Sequence, residues 1–377
     1  MHTITLKGES LETQKNIHQD DERIKQESHY IRLLKRPEFT SVAGTILVFA
    51  IFLSTANSAM FSIEGIFSWS EQAALIGIIA VGACLLMIGG EFDLSVGSMI
   101  GFAGMSMAIL TVQYGVPAWL SIVISFMIAM AIGYLSGYIV IKTKLPSFIV
   151  TLAFLYILRG LTIAVSRITT DQTLVSGLDE PQNRDWVSDL FGGEAFSSLF
   201  IWLANNGFIE KLNDGTPIIT GIKMVIVWWF ILAVASIFVL RFTKYGNWIY
   251  ASGGDANAAQ NMGVPVNKVK IALFVFTAFC ATVFAACQVF EYGSADAQRG
   301  VLKEFEAIIA VVMGGALLTG GYGTVIGACL GALIFGVVNI GINYTSIDSD
   351  WFRVFLGMIL LFAVLFSNSV RKKVMRS

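Results

Sequence analysis

The chain has 377 residues, of which 55% are hydrophobic and only 14% are charged. Soluble domains carry about 25% charged residues, so this composition excludes an ordinary soluble protein and indicates one that spans a membrane. The net charge of −1 at pH 7 hides a segregation, because basic residues stand beside apolar segments while acids gather in one long loop. The four cysteines lie in apolar stretches without metal-ligand spacing, which argues against a disulfide framework and against a metal site.

The first 37 residues are polar and mixed in charge, and they lack the apolar core of a signal peptide. We predict a cytoplasmic tail at 1–37 and a second, basic tail at 371–377. Between them, residues 38–370 are predicted to form one transmembrane domain in contact with membrane lipid.

Apolar segments separated by polar loops run through this domain. A helix needs about 20 mainly apolar residues to cross about 30 Å of hydrocarbon, and ten segments approach that length. The predicted fold is therefore all-α, a polytopic integral membrane protein with about ten transmembrane helices. The predicted spans are about 39–61, 71–88, 93–113, 117–141, 147–166, 222–241, 269–290, 305–318, 322–343 and 351–368.

Charge predicts the direction of these spans. Ten crossings from an inside start place the loop 242–268 and both tails in the cytoplasm, where basic flanking residues are favoured. The loop is flanked by Arg241 and Lys270, as this rule requires. The same layout places residues 171–221, which are rich in Asp and Glu, on the outer side of the membrane as one long loop.

The external segment is long for a loop, and its centre at 197–212 groups Leu, Phe and Trp side chains before Gly207. Such residues favour the membrane interface, so we predict an interfacial helix there. A re-entrant segment is the alternative. A further complete span is disfavoured because it would reverse the direction of every later span.

Two glycine-rich segments, 77–101 and 307–331, align without gaps and both contain Ile-Ile-Ala-Val. Each is predicted to form a span, a glycine-rich break and a second span, which gives broken helices in two related halves. Paired broken helices mark the binding site in many transporters. The alternative is chance, since glycine is common in membrane helices generally. The matched glycines are Gly90 with Gly320, Gly97 with Gly327, and Gly101 with Gly331.

Acids beside the first break are candidates for the translocation pathway. An acid at the centre of a membrane helix costs about 2.5–3.5 kcal/mol, so Glu91 and Asp93 are expected to face water, protein or the membrane edge. Asp93 or Ser95 can instead cap the helix that follows the break.

Other polar residues within the spans extend this candidate set. Asn339 and Asn343 are predicted to share a helix face, where they bind hydroxyl-rich ligands or neighbouring helices. Thr151 either lines a polar path or bonds back to a carbonyl group. Arg159 is predicted to reach the interface from the outer end of its span. The complete set of pathway candidates is Gly90, Glu91, Asp93, Ser95, Gly97, Thr151, Asn339 and Asn343.

The cytoplasmic loop contains a short helix signal at 255–263. Asp255 is predicted to be the N-cap of a helix of small residues that ends at Gly263 and Pro265. Such a helix presents a flat surface that another protein can approach closely, although an ordinary polar loop is the alternative.

The sequence lacks a P-loop, a dinucleotide-binding fingerprint, a catalytic triad and a zinc-protease motif. We therefore predict no catalytic residue, no cofactor, no metal and no nucleic-acid partner.

From about Ser41 onward the chain resembles the permease subunits of binding-protein-dependent sugar ABC importers of the ribose type. The motifs that carry the resemblance are GGEFDLSVGS at 89–98, GGDANAAQNMGV at 253–264 and the glycine-rich segment 306–333. The resemblance implies a multi-pass protein of the bacterial inner membrane that carries a monosaccharide or sugar alcohol, with 171–221 as a long periplasmic loop. Its implied partners are an ATP-binding ABC subunit with tandem cassettes, a periplasmic sugar-binding protein and a second permease copy or close homologue.

The resemblance also implies that the 253–263 segment docks on the ATPase. The family usually has glycine at the position of Glu91, so this acid is a departure from its pattern. A proton-coupled secondary sugar transporter that uses Glu91 or Asp93 is the main alternative, and a channel or scaffold is another. The implied ATPase-coupling residues are Gly253, Gly254, Asp255, Ala258, Ala259 and Gly263.

Overall fold

The computed structural model describes residues 37–213, 215–361 and 365. The two predicted tails lie outside the described residues except for Pro37. The structure is mostly helical, with 75% helix and 4% strand, in agreement with the predicted fold class.

Thirteen labelled helices and four short strands follow one another along the described chain. The helices are α1 (Pro37–Thr55), α2 (Ile63–Ile88), α3 (Val96–Ala108), α4 (Ala118–Thr143), α5 (Ser147–Thr170), α6 (Trp186–Gly192), α7 (Ser197–Asn205), α8 (Met224–Phe242), α9 (Lys244–Gly254), α10 (Ala256–Asn261), α11 (Val266–Glu291), α12 (Lys303–Met313) and α13 (Val325–Gly341). The strands are β1 (Leu174–Ser176), β2 (Glu194–Ala195), β3 (Ile222–Lys223) and β4 (Ser294–Asp296).

Seven helices of the described chain are long and apolar enough to cross a membrane. They are α2, α4, α5, α8, α11, α3 with its π-helical extension Ile109–Gln113, and α13 with its 3-10 extension Ile342–Tyr344. Each of the ten predicted spans overlaps helical backbone. Helix α12 has only 11 residues, the apolar part of α1 at Ser41–Thr55 is also short, and the helical residues 352–361 reach the edge of the described chain. The predicted count of ten is therefore not confirmed.

Helices α2 and α11 form the centre of the bundle. Helix α2 packs against α13, α11, α8 and α12, while α11 also packs against α4 and α3. Small residues permit these close approaches, because a Cβ atom on Gly82 would lie 3.2 Å from the Cβ of Cys280 and one on Gly133 would lie 2.8 Å from that of Ala278. Glycine and alanine at such interfaces let the backbones of membrane helices approach closely.

The predicted external segment folds against the end of this bundle. Strand β1 pairs antiparallel with β4, and β2 pairs antiparallel with β3. Helix α7 has nine residues and is about 13 Å long, too short to cross a membrane. Its Phe200 and Ala204 are buried while Leu199 and Trp202 are half exposed, the amphipathic pattern expected of an interfacial helix.

Lys223 joins this external segment to the bundle. Its ammonium nitrogen lies 3.0 Å from Glu194 Oε1 and 3.6 Å from Glu291 Oε1. Burial disfavours the charged ammonium, but the hydrogen bond with Glu194 and the charges of Glu291, Glu194 and Glu71 outweigh it and raise the pKa of Lys223. Lys223, just before α8, thus joins β2 to the end of α11, and its charge also acts on Glu71 of α2.

Both predicted breaks are present, but they differ in length. The first covers 89–95 and the second covers 314–324. Helices α2 and α12 end in the same way, because Gly89 and Gly314 are C-caps with nearly equal dihedral angles and Gly90 and Gly315 follow with φ of 82° and 86°. The structural equivalent of Gly90 is therefore Gly315, and the ungapped pairing of Gly90 with Gly320 does not hold at this helix end.

Candidate functional site

Three glycine-rich segments that are far apart in sequence meet backbone to backbone. The amide of Gly321 donates a hydrogen bond to the carbonyl oxygen of Ile88 at 2.8 Å, which joins the second break to the end of α2. A Cβ atom on Gly320 would lie 2.7 Å from the Cα of Gly90 and 2.8 Å from the carbonyl oxygen of Gly253. We call the meeting point of Gly90, Gly253, Gly320 and Gly321 the glycine junction.

Gly253 enters the junction from the segment that the sequence predicts to be cytoplasmic. A Cβ atom on Gly253 would overlap the carbonyl oxygen of Ile88 and lie 2.7 Å from the amide nitrogen of Gly321. The hydroxyl group of Tyr250, one turn earlier, donates to the carbonyl oxygen of Gly323 at 2.8 Å. The end of α9 is therefore fixed to both helix breaks.

Gly253 and Gly254 are the last two residues of α9, which begins at Lys244. The predicted N-cap, Asp255, directly follows α9 and is present. Asp255 Oδ1 accepts hydrogen bonds from the amides of Asn257 at 3.0 Å and Ala258 at 2.9 Å, and α10 follows. The loop thus consists of two short helices that meet at Asp255.

These two helices expose one continuous surface, which we call the docking surface. It comprises Gly254, Asp255, Asn257, Ala258 and 260–263, and Met262 is 86% exposed. A Cβ atom on Gly254 would meet nothing within 4 Å. Ala259, in contrast, is buried and Gly253 lies in the junction, so these two predicted coupling residues face the bundle.

Asp93 holds the first break in shape. Its Oδ1 accepts from the amide of Ser95 at 2.8 Å and from the hydroxyl of Ser95 at 2.5 Å, while Oδ2 accepts from Thr277 Oγ1 on α11 at 2.9 Å. Ser95 makes no side-chain capping bond to α3. Ser95 therefore does not cap α3 through its side chain. Asp93 instead closes a turn with Ser95 inside the break and links this turn to Thr277 of α11.

Two side chains from the first turns of α5 bind the backbone of the same break. The hydroxyl of Ser147 accepts from the amide of Phe92 at 3.0 Å, and that of Thr151 accepts from the amide of Leu94 at 3.1 Å. Thr151 also donates to the carbonyl oxygen of Ser147 at 2.9 Å. The predicted back-bonding is therefore present, and the same hydroxyl satisfies an amide of the break.

Replacement of Thr151 by Val should destabilise the protein, because the buried amide of Leu94 loses its acceptor at a cost of about 1–3 kcal/mol. Thr151→Ser keeps the hydroxyl and should melt near the wild-type temperature in detergent. Thr169→Val removes an exposed hydroxyl of the same helix that bonds only within it, so it serves as the control. Equal melting temperatures for Thr151→Val and Thr169→Val would contradict the assigned role.

Glu91 forms an ion pair with Lys270, a residue to which the sequence analysis gives no role beyond flanking a span. The Nζ–Oε1 distance is 2.5 Å, and the two side chains are only 12% and 13% exposed. Lys270 lies in the second turn of α11, just after the docking surface. Glu91 therefore joins the first break to α11, the helix that follows the docking surface.

The remaining pathway candidates are not gathered at one place. Gly97 faces Glu304, since a Cβ atom there would overlap Glu304 Oε2. Gly336 of α13 packs against Trp69 and Ala73 of α2, so Asn339 and Asn343 lie beyond it, far from the junction. Helix α13 ends at Gly341, so Asn339 lies in this helix and Asn343 lies in the 3-10 turn that continues it.

This architecture defines a class of protein: a helical membrane protein whose two broken helices meet a short-helix surface outside the bundle. The family described as "branched-chain amino acid transport system / permease component" matches residues 65–364. The chain belongs to this family of permeases.

Curated relatives cover most of this chain and nearly all of their own length. The ribose import permease protein RbsC of Escherichia coli (strain K12) is 32% identical over 324 residues, which are 86% of this chain and 91% of the relative. The xylose transport system permease protein XylH of the same strain is 28% identical over 376 residues, or 91% and 94% of the two chains. RbsC of Haemophilus influenzae is 31% identical over 336 residues, or 89% and 94%. No solved structure gave a significant match.

Proposed function

We propose that this chain is the membrane-spanning permease subunit of an ABC importer that carries a monosaccharide or a sugar alcohol across the bacterial inner membrane. The glycine junction is the observation that carries the proposal, because it connects the docking surface directly to both helix breaks. A force applied to α9 and α10 from outside the bundle reaches the breaks through backbone contacts, with no flexible side chain between them.

The partners follow from this role. An ATP-binding subunit with tandem cassettes binds the docking surface in the cytoplasm and supplies the hydrolysis that this chain does not perform. A periplasmic sugar-binding protein delivers the sugar to the opposite end, which includes the segment 171–221. The passage forms between two permease subunits, a homodimer or a pair of close homologues, and both termini lie in the cytoplasm.

The proposed cargo rests on the relatives rather than on the family description. The family description names branched-chain amino acids, whereas the curated relatives named above import ribose or xylose and align over almost their full length. A pentose or a molecule of similar size and hydroxyl content is therefore the proposed cargo.

The proton-coupled alternative is not supported. Glu91 is bound to Lys270, and both oxygens of Asp93 accept hydrogen bonds within the structure. Both acids thus have structural partners beside the first break, and the relatives are import permeases of a family that includes this chain.

Reconstitution tests the proposal. The permease is placed in proteoliposomes with its proposed ATP-binding subunit and sugar-binding protein, and uptake of labelled D-ribose, D-xylose and L-leucine is measured with and without ATP. We expect uptake of a sugar but not of leucine, abolished without ATP and unaffected by a protonophore. Uptake that collapses with the protonophore at constant ATP would refute the proposed energy source.

The docking surface provides the variant for the same assay. Gly254→Trp projects a large side chain into open space, so the permease should fold normally while uptake falls at least about tenfold and the ATPase no longer co-purifies. Gly160→Trp projects into open space from α5, away from the docking surface, and should retain the ATPase. Normal co-purification and uptake with Gly254→Trp would remove the docking assignment.

A further inference from the structure

An apolar groove lies on the surface of the bundle between α8 and α11. Its volume is about 320 Å³, and it runs along the last two turns of α8 and the first three turns of α11. Helix α9 packs against both helices and forms one end of the groove. Apart from Ser236 and Tyr245, the described lining residues are apolar. The larger ones are Leu85, Val239, Ile249, Val269, Leu273 and Phe276.

The mouth of the groove faces away from the rest of the bundle. Ala235 on α8 and Ala272 on α11 both line the groove and are both exposed. Val234 and Phe238, on the same side of α8 as Ala235, are 49% and 58% exposed. Both helices are apolar and long enough to cross a membrane, so this surface borders either lipid or another membrane protein.

The groove lies at the depth where acyl chains leave their headgroups. Its lining residues on α11 run from Val269 to Phe276, a distance of about 10 Å along a helix that begins at Val266. The hydrocarbon of one leaflet is about 15 Å deep. Tyr245 and Trp248 of α9 stand at the same end as the start of α11, and such side chains favour the headgroup level.

A cation lies at this headgroup end of the groove. Lys244 Nζ is 5.8 Å from the centre of the Tyr245 ring and 5.3 Å from that of Trp248. Because Tyr245 also lines the groove, its ring holds the ammonium group beside the apolar lining. Among the described residues no carboxylate forms a salt bridge with Lys244. Arg241, two residues after Val239 on α8, adds a second positive charge.

These charges decide between the two possible neighbours of the groove. A symmetric pair of permeases buries the same patch on both subunits, so contact through this groove would bring the cations of two copies together. Like charges without an acid between them oppose such a contact. A phospholipid with an anionic headgroup instead supplies both the apolar chain for the groove and the negative charge for its basic end.

We propose that this groove is a binding site for an anionic phospholipid, with one acyl chain between α8 and α11 and the headgroup phosphate at Lys244 and Arg241. Ile249 lines the groove one turn before Gly253 of the glycine junction, so the lipid contacts the helix that leads to the docking surface. The inference goes beyond the proposed function and depends neither on the sugar nor on the ATP-binding subunit.

Native mass spectrometry of the full-length permease in detergent tests the proposal, by titration with dioleoylphosphatidylglycerol or dioleoylphosphatidylcholine, which have the same chains. Arg241→Gln/Lys244→Gln removes the two cations. Its control is Lys142→Gln/Lys144→Gln, which removes the same charge at the exposed end of α4, where Lys142 Nζ also lies over a tyrosine ring, at 5.4 Å.

A second pair of variants tests the apolar part of the site. Ala272→Phe places a ring in the mouth of the groove, and Ala131→Phe places one on an exposed position of α4 that does not line the groove. Both alanines are exposed, so both variants should fold, and their melting temperatures in detergent check this.

We expect the wild type to bind the anionic lipid at least about fivefold more tightly than the zwitterionic one, the attraction of one basic residue for an anionic headgroup. Arg241→Gln/Lys244→Gln should bring the two affinities together, and Ala272→Phe should weaken the binding of both lipids at least about fivefold. Both control variants should bind as the wild type does.

Equal affinities of the wild type for the two lipids would overturn the proposal, and so would a preference that survives in Arg241→Gln/Lys244→Gln. If Ala272→Phe changes the oligomeric mass but leaves lipid binding intact, the groove belongs to a second permease copy. None of these outcomes depends on whether the complex imports a sugar, so a failure of the proposed function is detected separately by the uptake assay.

Discussion

Gly253→Ala should reduce coupled uptake at least about tenfold, while Gly254→Ala leaves it within about twofold of wild type. Both glycines lie at the end of α9, where alanine is the better helix former by about 1 kcal/mol, so helix propensity favours both variants equally. They differ in what the new methyl group meets. At Gly253 it overlaps the carbonyl oxygen of Ile88, whereas at Gly254 it meets open space.

Uptake should fall because the methyl group at position 253 meets backbone atoms, which cannot move aside as a flexible side chain can. Accommodating the methyl group requires α9 to move away from Ile88 and Gly321, whose hydrogen bond joins the two breaks. Overpacking of this kind costs about 1–3 kcal/mol, so the variant should still fold with a lowered melting temperature. Uptake should fall at least about tenfold, because the displaced α9 no longer contacts both breaks and cannot pass a movement of the docking surface to them.

The measurement combines ATP-driven uptake, ATPase activity and co-purification of the ATP-binding subunit. We expect Gly253→Ala to retain the ATPase and to hydrolyse ATP without matching uptake, whereas Gly254→Trp loses the ATPase. The two neighbouring positions thus separate transmission inside the permease from docking outside it. Wild-type uptake with Gly253→Ala would show that the junction carries no part of the coupling.

The sequence predicted the helices and the cap at Asp255 because their signals are local. Apolar length locates each span, and Asp255 followed by small residues and Gly263 predicts α10 within a residue. The seven helices confirmed as membrane-capable each contain a long, strongly apolar stretch with few charged residues. Helix α12 is shorter than the predicted span 305–318 because it ends at the C-cap Gly314, which Gly315 follows with a positive φ.

The glycine junction was beyond sequence reasoning for a different reason. A glycine indicates that another group can approach its backbone closely, but it does not identify that group. Gly90, Gly253 and Gly320 each carried that signal in its own segment, and only the fold shows that they meet one another. Ser147 and Thr277 were missed as structural partners of the first break because a hydroxyl group in an apolar helix most often bonds its own backbone.

The pairing of Glu91 with Lys270 was missed because each charge, taken alone, fits a position at the membrane edge. Paired, they form a largely buried bridge between the first break and α11, and this bridge leads to the second large expected effect. Lys270→Met should be severely destabilising, since it leaves the Glu91 carboxylate without its cation in a site that is only 13% exposed. Breaking a buried pair from one side costs about 3–5 kcal/mol.

Glu91→Gln should cost less than Lys270→Met. The long Lys270 side chain can turn its ammonium group towards water, whereas the short carboxylate of Glu91 is held by the break. The double variant Glu91→Gln/Lys270→Met should recover most of the lost stability, because it leaves no unpaired charge. Lys268→Met, on the same turn of α11 but exposed, is the matched control.

Thermal unfolding in detergent and uptake in proteoliposomes give the double-mutant cycle. A purely structural pair would restore uptake together with stability in the double variant. If the bridge also transmits movement from the docking surface to the first break, the double variant should regain its melting temperature yet keep uptake reduced several-fold. Equal melting temperatures for Lys270→Met and Lys268→Met would show that the ion pair of Glu91 with Lys270 contributes nothing to stability.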